Sequence, residues 1–457
     1  MKKLACLLVL ATSFAFSQTS AYEIEVDKDK KISSLIHFTD NSFVICASKQ
    51  SLGYKSNDPK LIRIDSTLNE IYTNSFTGFT NFFDFSIDGA MLNNYRHNPK
   101  MTASKDAYSY INSQGEILEI EKDLLSGGEE IKNNGERFLI DNTQFTIGTR
   151  EGKEFSKDVY NQDDFYLYKL NLKTGVAKIQ KMNFQGPSDM ANDGKFYFSL
   201  FKLTHDSFTI KLKKSTRDVK EKLYTEIFLL TFDLNGKKIK ETKIGAPLKN
   251  DKNTALNKVW YDKIDKAFYS YGFYHEHKNA NRKWAVTKFK GYYIQKYDIT
   301  GKSLWDIQAP FSSDIFDDNQ SNMDCIFTLN KVNKTRLLFS YGNTDIDVLN
   351  MVQIDKNTGK TIEENVLEFK SSYNNRITNY PVDIEHRIMK DVYGKKVFLD
   401  VNTIQLLAIH EEFNTYIKQF KNSKDKIHYK SFILEDGFIV FEASSDANDY
   451  KFLKFNW

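Results

Sequence analysis

Several features are scarce or missing, and each absence excludes a class of protein. The 457 residues contain only 6 Pro and 3 Cys, and no Cys/His spacing resembles a zinc site. The formal net charge is +4, so nothing indicates a disordered chain or a nucleic-acid-binding tail. No stretch beyond the N-terminus approaches the ~20 apolar residues that a transmembrane helix needs. Gly-x-Ser-x-Gly, P-loop and Rossmann fingerprints are absent, so the sequence predicts no catalytic residue, cofactor or metal.

The N-terminus has the three parts of a secretory signal peptide. Lys2 and Lys3 precede an apolar run from Leu4 to Phe16, and residues 15–17 form a small-x-small cleavage site ahead of Gln18. We therefore expect residues 1–17 to be removed, leaving 18–457 as one domain. The mature protein is then secreted or periplasmic.

Two cysteines remain after this cleavage, Cys46 and Cys325. Both lie inside apolar runs and are far apart in the sequence. An exported protein is permitted a disulfide. Their core-strand positions favour two buried free thiols instead.

Aromatic residues are abundant, and they indicate strands. They make up 14% of the chain, with 36 Phe and 25 Tyr, and such residues suit strands better than helices. Residues 293–305 show the repeated unit: alternating large residues lead into Asp298-Ile299-Thr300-Gly301-Lys302, and alternation then resumes. This pattern predicts a strand, a tight turn and a returning strand.

Hairpins of two kinds alternate along the chain. In the first kind a polar turn precedes a strongly apolar strand. We find eight, with turns at residues 39–41, 88–89, 141–142, 192–194, 264–266, 333–334, 393–395 and 436–437. In the second kind an amphipathic strand follows the turn. We find seven, centred near Asn69, Gly115, Gly175, Gly236, Gly301, Gly359 and Asn414.

One hairpin of each kind gives a four-stranded sheet, which cannot bury both faces alone. Stacking such sheets radially gives a β-propeller. The last sheet lacks its outermost strand, which the alternating residues 22–26 can supply from the N-terminus. We therefore predict an all-β, eight-bladed β-propeller of four-stranded antiparallel blades closed by the N-terminal strand. The alternative is seven blades plus an insertion at 383–421.

The turns of the second kind resemble those of the PQQ-like-repeat propellers, a superfamily that includes quinoprotein dehydrogenases. The family repeat has Asp-x-x-Thr-Gly followed by an aromatic residue four positions beyond the Gly. Residues 355–359 match the turn, and residues 298–301 are one residue short but place Trp305 correctly. Residues 171–175 depart at the Asp. The resemblance implies an eight-bladed propeller, and it carries over neither a cofactor nor an activity.

Long links between the second and third strands are predicted in five blades, at residues 48–60, 94–107, 149–164, 203–224 and 275–292. Loops over a rigid scaffold are where binding usually resides. The last two links are rich in Lys, and they include His275 and His277, which without a third ligand do not make a metal site. The candidate ligand-binding residues are Lys211, Lys213, Lys214, Arg217, Lys220, Lys222, His275, His277, Lys278, Arg282, Lys283, Trp284, Lys288 and Lys290.

This basic, aromatic-edged surface predicts an anionic ligand, such as an acidic glycan, a lipopolysaccharide phosphate or an acidic protein. A plainly solvated Lys-rich loop is the competing interpretation. We thus interpret the chain as a non-enzymatic binding or scaffold protein whose partner is a protein or an anionic glycan at the cell envelope. The alternative is a polysaccharide-active hydrolase or lyase with its site at the axial channel.

Overall fold

In the residues that it describes, the computed structural model shows an all-β protein with one pair of helices. It describes residues 18–38, 40–49, 56–75, 79–83, 85–86, 89–96, 105–120, 131–132, 136–150, 165–182, 196–217, 223–250, 252–276, 289–312, 325–343, 348–368, 388–392, 395–419, 427–444 and 449–457. The signal-peptide prediction at 1–17 lies outside these residues. Among them, no helix has the length and apolar character needed to cross a membrane.

The chain divides into two compact units. The first unit takes its described residues from the ranges 1–28, 67–69 and 321–457, and the second from 29–66 and 70–320.

The second unit contains four sheets. The first sheet has the order β10-β9-β8-β6-β4-β3-β2, with β5 also paired to β4. Its strands are β2 (Lys30–His37), β3 (Phe43–Lys49), β4 (Ser56–Ile64), β5 (Glu70–Ser75), β6 (Phe79–Phe83), β8 (Ala90–Arg96), β9 (Lys105–Ile111) and β10 (Ile117–Ile120). The second sheet has the order β15-β14-β13-β12-β7, with β11 on β13. Its strands are β7 (Phe85–Ser86), β11 (Ile131–Lys132), β12 (Arg137–Ile140), β13 (Thr143–Arg150), β14 (Phe165–Asn171) and β15 (Ala177–Lys181).

The third and fourth sheets are antiparallel meanders of four consecutive strands. The third sheet consists of β16 (Phe196–Leu203), β17 (Ser207–Arg217), β18 (Leu223–Asp233) and β19 (Lys238–Ile244). The fourth consists of β20 (Lys252–Asp262), β21 (Ala267–Glu276), β22 (Gly291–Tyr297) and β23 (Ser303–Pro310). A core of Phe, Leu and Ile fills the space between the second and third sheets, including Phe138, Phe208 and Leu230.

The first unit contains the fifth and sixth sheets. The fifth is the meander β24 (Cys325–Lys331), β25 (Arg336–Asn343), β26 (Val348–Asp355) and β27 (Thr361–Glu368). The sixth has the order β1-β32-β31-β30-β29-β28. Its strands are β1 (Gln18–Glu23), β28 (Ile388–Val392), β29 (Lys395–Leu399), β30 (Ile427–Ile433), β31 (Gly437–Ser444) and β32 (Asp449–Asn456). Two helices, α1 (Val401–Ile409) and α2 (Glu411–Gln419), connect β29 to the parallel strand β30.

The repeated four-stranded antiparallel meander is the blade unit of β-propellers, so the fold class is all-β of the β-propeller type. The predicted number of blades is not supported, because the described strands form six sheets rather than eight or seven. The predicted seventh hairpin of the second kind, with its turn at Asn414, is wrong. The residues around Asn414 form α1 and α2 instead of strands. These helices interrupt the strand repeat within 383–421, the range in which the seven-blade alternative placed an insertion.

Most predicted turns are confirmed. Seven of the eight hairpins of the first kind join paired antiparallel strands, and the turn at 192–194 lies outside the described residues. The five predicted turn glycines of the second kind all have positive φ, from 68° at Gly175 to 89° at Gly301. In the β4–β5 turn the residue with positive φ is Leu68 instead of Asn69.

The predicted pairing of an N-terminal strand with the last strand is confirmed, although this strand spans Gln18–Glu23 rather than the predicted residues 22–26. β1 pairs with β32 along its length, from Gln18 opposite Phe455 to Glu23 opposite Lys451, and the Ile24 amide donates to the Tyr450 carbonyl oxygen at 2.9 Å. The edge of β32 is thereby covered. Cys46 and Cys325 are both buried and neither forms a disulfide, as predicted.

Candidate functional site

The predicted binding residues do not all lie in loops, contrary to the sequence-based prediction. Lys211, Lys213, Lys214 and Arg217 lie in strand β17, so the predicted loop 203–224 is wrong: it contains the whole of this eleven-residue strand. His275 is near the end of β21, and Lys290 is exposed just before β22. The remaining candidates lie outside the described residues: Lys220, Lys222, His277, Lys278, Arg282, Lys283, Trp284 and Lys288.

Alternation along β17 places Lys211 and Lys213 on one face of the third sheet. Phe208, Ile210 and Leu212 point into the core shared with the second sheet. Lys211 and Lys213 therefore project from the opposite face. Lys202 of β16 shares that face, because it pairs with Thr209 of β17. We call this surface, with its residues Lys202, Lys211 and Lys213, the lysine face.

The lysine face looks toward the fourth sheet. Ile227 and Leu229 of β18, which pair with Lys213 and Lys211, pack against Phe268 and Tyr297 of the fourth sheet. The layer between the two sheets is thus apolar in one part and basic in another. Charged groups in such a layer are only partly hydrated, which strengthens their effect on a neighbouring charge.

Lys213 is the most strongly perturbed of these lysines. Its Nζ donates a hydrogen bond of 2.6 Å to the backbone carbonyl oxygen of Asn257 in β20. Burial, together with the positive charges of Lys211 and Lys258, lowers the pKa of Lys213 to about 8. No carboxylate is among the charges that act on it within the described residues.

The other two lysines are less perturbed in the same direction. Burial lowers the pKa of Lys211, although the charge of Glu136 opposes this, and the Lys211 Nζ lies 6.0 Å from the ring centroid of Phe201. Burial and neighbouring lysines also lower the pKa of Lys202, whose Nζ lies 4.8 Å from the ring of Tyr261. Aromatic rings therefore contact the ammonium groups on this face, which is a favourable cation–π arrangement.

A polar group from the fourth sheet faces Lys213 across the layer. The Asn257 side chain donates to the hydroxyls of Ser270 (2.9 Å) and Tyr293 (2.8 Å). Gly272 lies opposite Asn257 in the ladder, and a Cβ there would be 1.8 Å from the Leu256 carbonyl oxygen. Only glycine fits at this position, because the neighbouring strand's backbone lies too close for a Cβ.

The ends of the two predicted basic links lie close together. Thr225 of β18 and Thr254 of β20 are joined by a hydrogen bond of 3.2 Å between their hydroxyls. Thr254 pairs with Tyr274, which precedes His275, and the Lys290 amide donates to the Tyr274 carbonyl oxygen. These contacts bring the start of β18 close to the end of β21 and the start of β22.

A second polar cluster lies in the sixth sheet, and its contacts indicate a structural role. The buried Glu442 carboxylate is 2.9 Å from Lys451 Nζ and accepts a hydrogen bond of 3.1 Å from the Tyr416 hydroxyl. Burial and the Glu442 charge raise the pKa of Tyr416 and of Tyr429. The carboxylate is thus paired and hydrogen-bonded, as buried charges require. No group of three metal-ligating side chains occurs among the described residues.

Sequence reasoning missed the polar layer because it treated β17 as a loop. The signal was present: Phe208, Ile210 and Leu212 alternate with Thr and Lys, which is the period of a strand. Asn257 gave no signal, because it meets Lys213 only where two separate sheets face each other.

Comparisons with known proteins define no family. No family model and no curated protein matches the chain. Solved structures with some likeness include polysaccharide lyase Uly1 (9% identity, TM-score 0.38, 97% of this chain and 95% of that chain). They also include Penicillium chrysogenum α-L-arabinanase complexed with arabinobiose (7%, 0.31, 94% and 94%) and a prolyl endopeptidase (8%, 0.37, 92% and 48%). The chain spans about half the length of that endopeptidase.

These likenesses have TM-scores below 0.5, so they carry no argument about activity. The class rests on the strand order: an all-β protein of the β-propeller type with six sheets. The resemblance to PQQ-like-repeat propellers stays a prediction.

Proposed function

We propose that this protein is an exported, non-enzymatic binding protein that takes an anionic ligand at the lysine face of its third sheet. The ligand class that fits is an acidic glycan or an acidic protein surface at the cell envelope. The export step rests on the signal-peptide pattern in the sequence.

The observation that carries the proposal is the environment of Lys213. Its ammonium group is half-buried, and its described partner is a backbone carbonyl oxygen rather than a carboxylate. A partly desolvated cation beside two further cations is unfavourable, which is why its pKa falls to about 8. An anion bound beside Lys211 and Lys213 would remove this cost, so the site is more stable occupied than empty.

The polysaccharide-active alternative receives no comparable support. Glycoside hydrolysis uses two carboxyl groups flanking the scissile bond. Within the described residues the charges that act on Lys213 come from Lys211 and Lys258. Binding, which needs cations and aromatic surfaces, fits these residues better than acid–base catalysis does.

The test is retention of the mature protein on immobilised heparin, a polyanionic glycan, with elution by salt. We expect K211Q/K213Q to elute at clearly lower salt than the unsubstituted protein. The matched control is K173Q/K178Q, which removes the same charge from exposed positions in the β14–β15 hairpin. Thermal unfolding confirms that both variants are folded.

Two outcomes would contradict the proposal. If the unsubstituted protein is not retained, anion binding is wrong. If both double variants lose retention equally, net charge alone explains binding and the lysine face is not the site.

A further inference from the structure

We propose that the Lys213 amine forms an imine with a small aldehyde that carries an acidic group, in the layer between the third and fourth sheets. This goes beyond the proposed function, because anion binding needs only the positive charge of the lysines. Imine formation needs the nitrogen lone pair as well.

The hydrogen bond of Lys213 is compatible with a reactive amine. A carboxylate partner would hold the lysine in its charged form, whereas the Asn257 carbonyl oxygen accepts an N–H from either form. The neutral amine can thus donate one N–H over 2.6 Å and keep its lone pair. The contact fixes the position of the nitrogen without consuming its nucleophilicity.

The protonation state favours reaction near neutral pH. A lysine with a pKa of about 8 is about one-tenth neutral at pH 7. An ordinary lysine, with a pKa of about 10.4, is roughly 0.04% neutral at the same pH. Lys213 is also half-buried rather than enclosed, so its side chain is not sealed from solvent.

The polar group of the fourth sheet provides partners for the intermediate. Asn257 Oδ1 is buried and has no hydrogen-bond partner among the described residues. It can accept the hydroxyl of a carbinolamine. Burial raises the pKa of Tyr293, so this phenol, which contacts the Asn257 amide nitrogen, stays protonated.

The charges around Lys213 select the aldehyde. Lys211 and Lys258 are the cations close enough to act on its amine. An aldehyde with a carboxylate or phosphate group would place that group beside them and its carbonyl carbon beside the Lys213 Nζ.

The reaction balances without an oxidant or a reductant. The nitrogen lone pair attacks the carbonyl carbon, a C–N bond forms, and the carbonyl oxygen takes up a proton to give the carbinolamine. Loss of this hydroxyl as water and of a proton from nitrogen leaves the C=N bond. One amine and one aldehyde give one imine and one water.

The experiment treats the mature protein with glyoxylate at pH 7 in the presence of cyanoborohydride, which reduces the imine to a stable amine. Proteolysis and mass spectrometry then give the labelling rate at each lysine. We expect Lys213 to be labelled at least tenfold faster than the exposed lysines Lys173 and Lys178. A rate at Lys213 equal to or below theirs would overturn the proposal.

Three further measurements separate this proposal from simple anion binding. K213R keeps the positive charge and the N–H donor, so we expect the adduct to be lost while heparin retention persists. K211Q removes a neighbouring cation, so the midpoint of the Lys213 rate–pH profile should rise. An unchanged midpoint would contradict the assigned electrostatics.

Glycolaldehyde, which is neutral, should label Lys213 more slowly than glyoxylate, and equal rates would overturn the preference for an acidic group.

Discussion

Asp400 lies between strand β29 and helix α1, where it is the N-cap of the helix. Its carboxylate accepts hydrogen bonds from the Thr403 amide (2.8 Å), from the Thr403 hydroxyl and from the Ser431 amide. Burial nevertheless outweighs these bonds and raises the pKa of Asp400 to about 6. The folded protein therefore favours the protonated form of the Asp400 carboxyl more than the unfolded chain does.

This raised pKa predicts an unusual pH dependence. Between about pH 4 and pH 6 the folded protein binds a proton that the unfolded chain has released, so the contribution of Asp400 to stability falls as pH rises. The loss is on the order of 2–3 kcal/mol by pH 7. We expect D400N, which keeps a capping oxygen and does not titrate, to be more stable than the unsubstituted protein at pH 7. Urea unfolding at pH 4, 5, 6 and 7 measures the difference.

Asp298 supplies a control of opposite sign. Its carboxylate accepts hydrogen bonds from the Thr300 hydroxyl and from the Thr300 and Lys302 amides, and the Thr300 hydroxyl is the main cause of its lowered pKa. Its stabilising contribution is present above pH 4 and is lost as pH falls. D298N should therefore be less stable than the unsubstituted protein at neutral pH, and this deficit should shrink as pH falls. If D400N is likewise less stable than the unsubstituted protein at pH 7, the account of Asp400 is wrong.

At the residue scale, local chemistry was predictable and long-range electrostatics was not. The turn glycines were identified because a tight hairpin requires positive φ, which Gly adopts without strain. The lowered pKa of Lys213 depends on Lys258, which belongs to another sheet. No local pattern reports such a neighbour.

Four outermost strands share a β-bulge next to the turn that precedes them. In β5, β19, β23 and β27 one additional residue interrupts the ladder. That residue is in each case an exposed aliphatic: Ile71, Ile239, Leu304 and Ile362, with exposed fractions of 44–56%. A bulge bends an edge strand and disrupts the row of groups that could pair with another chain.

The bulge residues should matter little for stability, although they are large and apolar. Ile239 is 56% exposed, whereas Leu230 in the adjacent strand β18 is fully buried in the core shared with the second sheet. We expect I239T to change the free energy of unfolding by no more than about 0.5 kcal/mol. L230A should cost about 2–5 kcal/mol, because it removes buried methyl groups and leaves a cavity.

Chemical denaturation of the two variants measures this contrast within one sheet. A cost for I239T comparable with that for L230A would mean that the bulge side chain packs against something in solution. In that case Ile239 would be a residue that contacts another part of the protein or a partner.

At the element scale, two errors have physical causes. The density of lysines in β17 concealed an alternation that was present in the sequence. The second error is the hairpin turn predicted near Asn414, which lies in helix α2. The competing helical signals were Asp400 as an N-cap, Glu411 and Glu412 in a first turn, and Phe413 and Ile417 one turn apart.

The first and last described strands of the chain, β1 and β32, pair with each other in the sixth sheet. β1 has partly exposed side chains from Ser20 to Glu23, and its main contribution is the ladder with β32. Without it, β32 would present an unpaired edge.

We expect a chain that begins at Ile24 to be less stable and to associate with itself. The control is a chain of full length in which residues 18–23 are replaced by Gly and Ser, which retain length but pair poorly in a strand. Thermal unfolding and size-exclusion chromatography over a range of concentrations measure both effects. Unfolding of the shortened chain at the same temperature as the unsubstituted protein would show that β1 is dispensable.

At the scale of the molecule, the repeat was predictable but the number of sheets was not. Each meander has a local signature of alternation and turn residues. The count depends on pairings between meanders, such as Ser56 of β4 with Thr80 of β6, and Val397 of β29 with Ile427 of β30. These pairings place, in one sheet, strands that the sequence assigns to separate repeats.

The β1–β32 pair also sets an order of events during synthesis. Among the described strands, β1 emerges from the ribosome first and its partner β32 emerges last. The sixth sheet therefore cannot be completed until β32 has been made. A chain held unfolded until that point would lose nothing by the delay, because this strand pairing is not possible earlier.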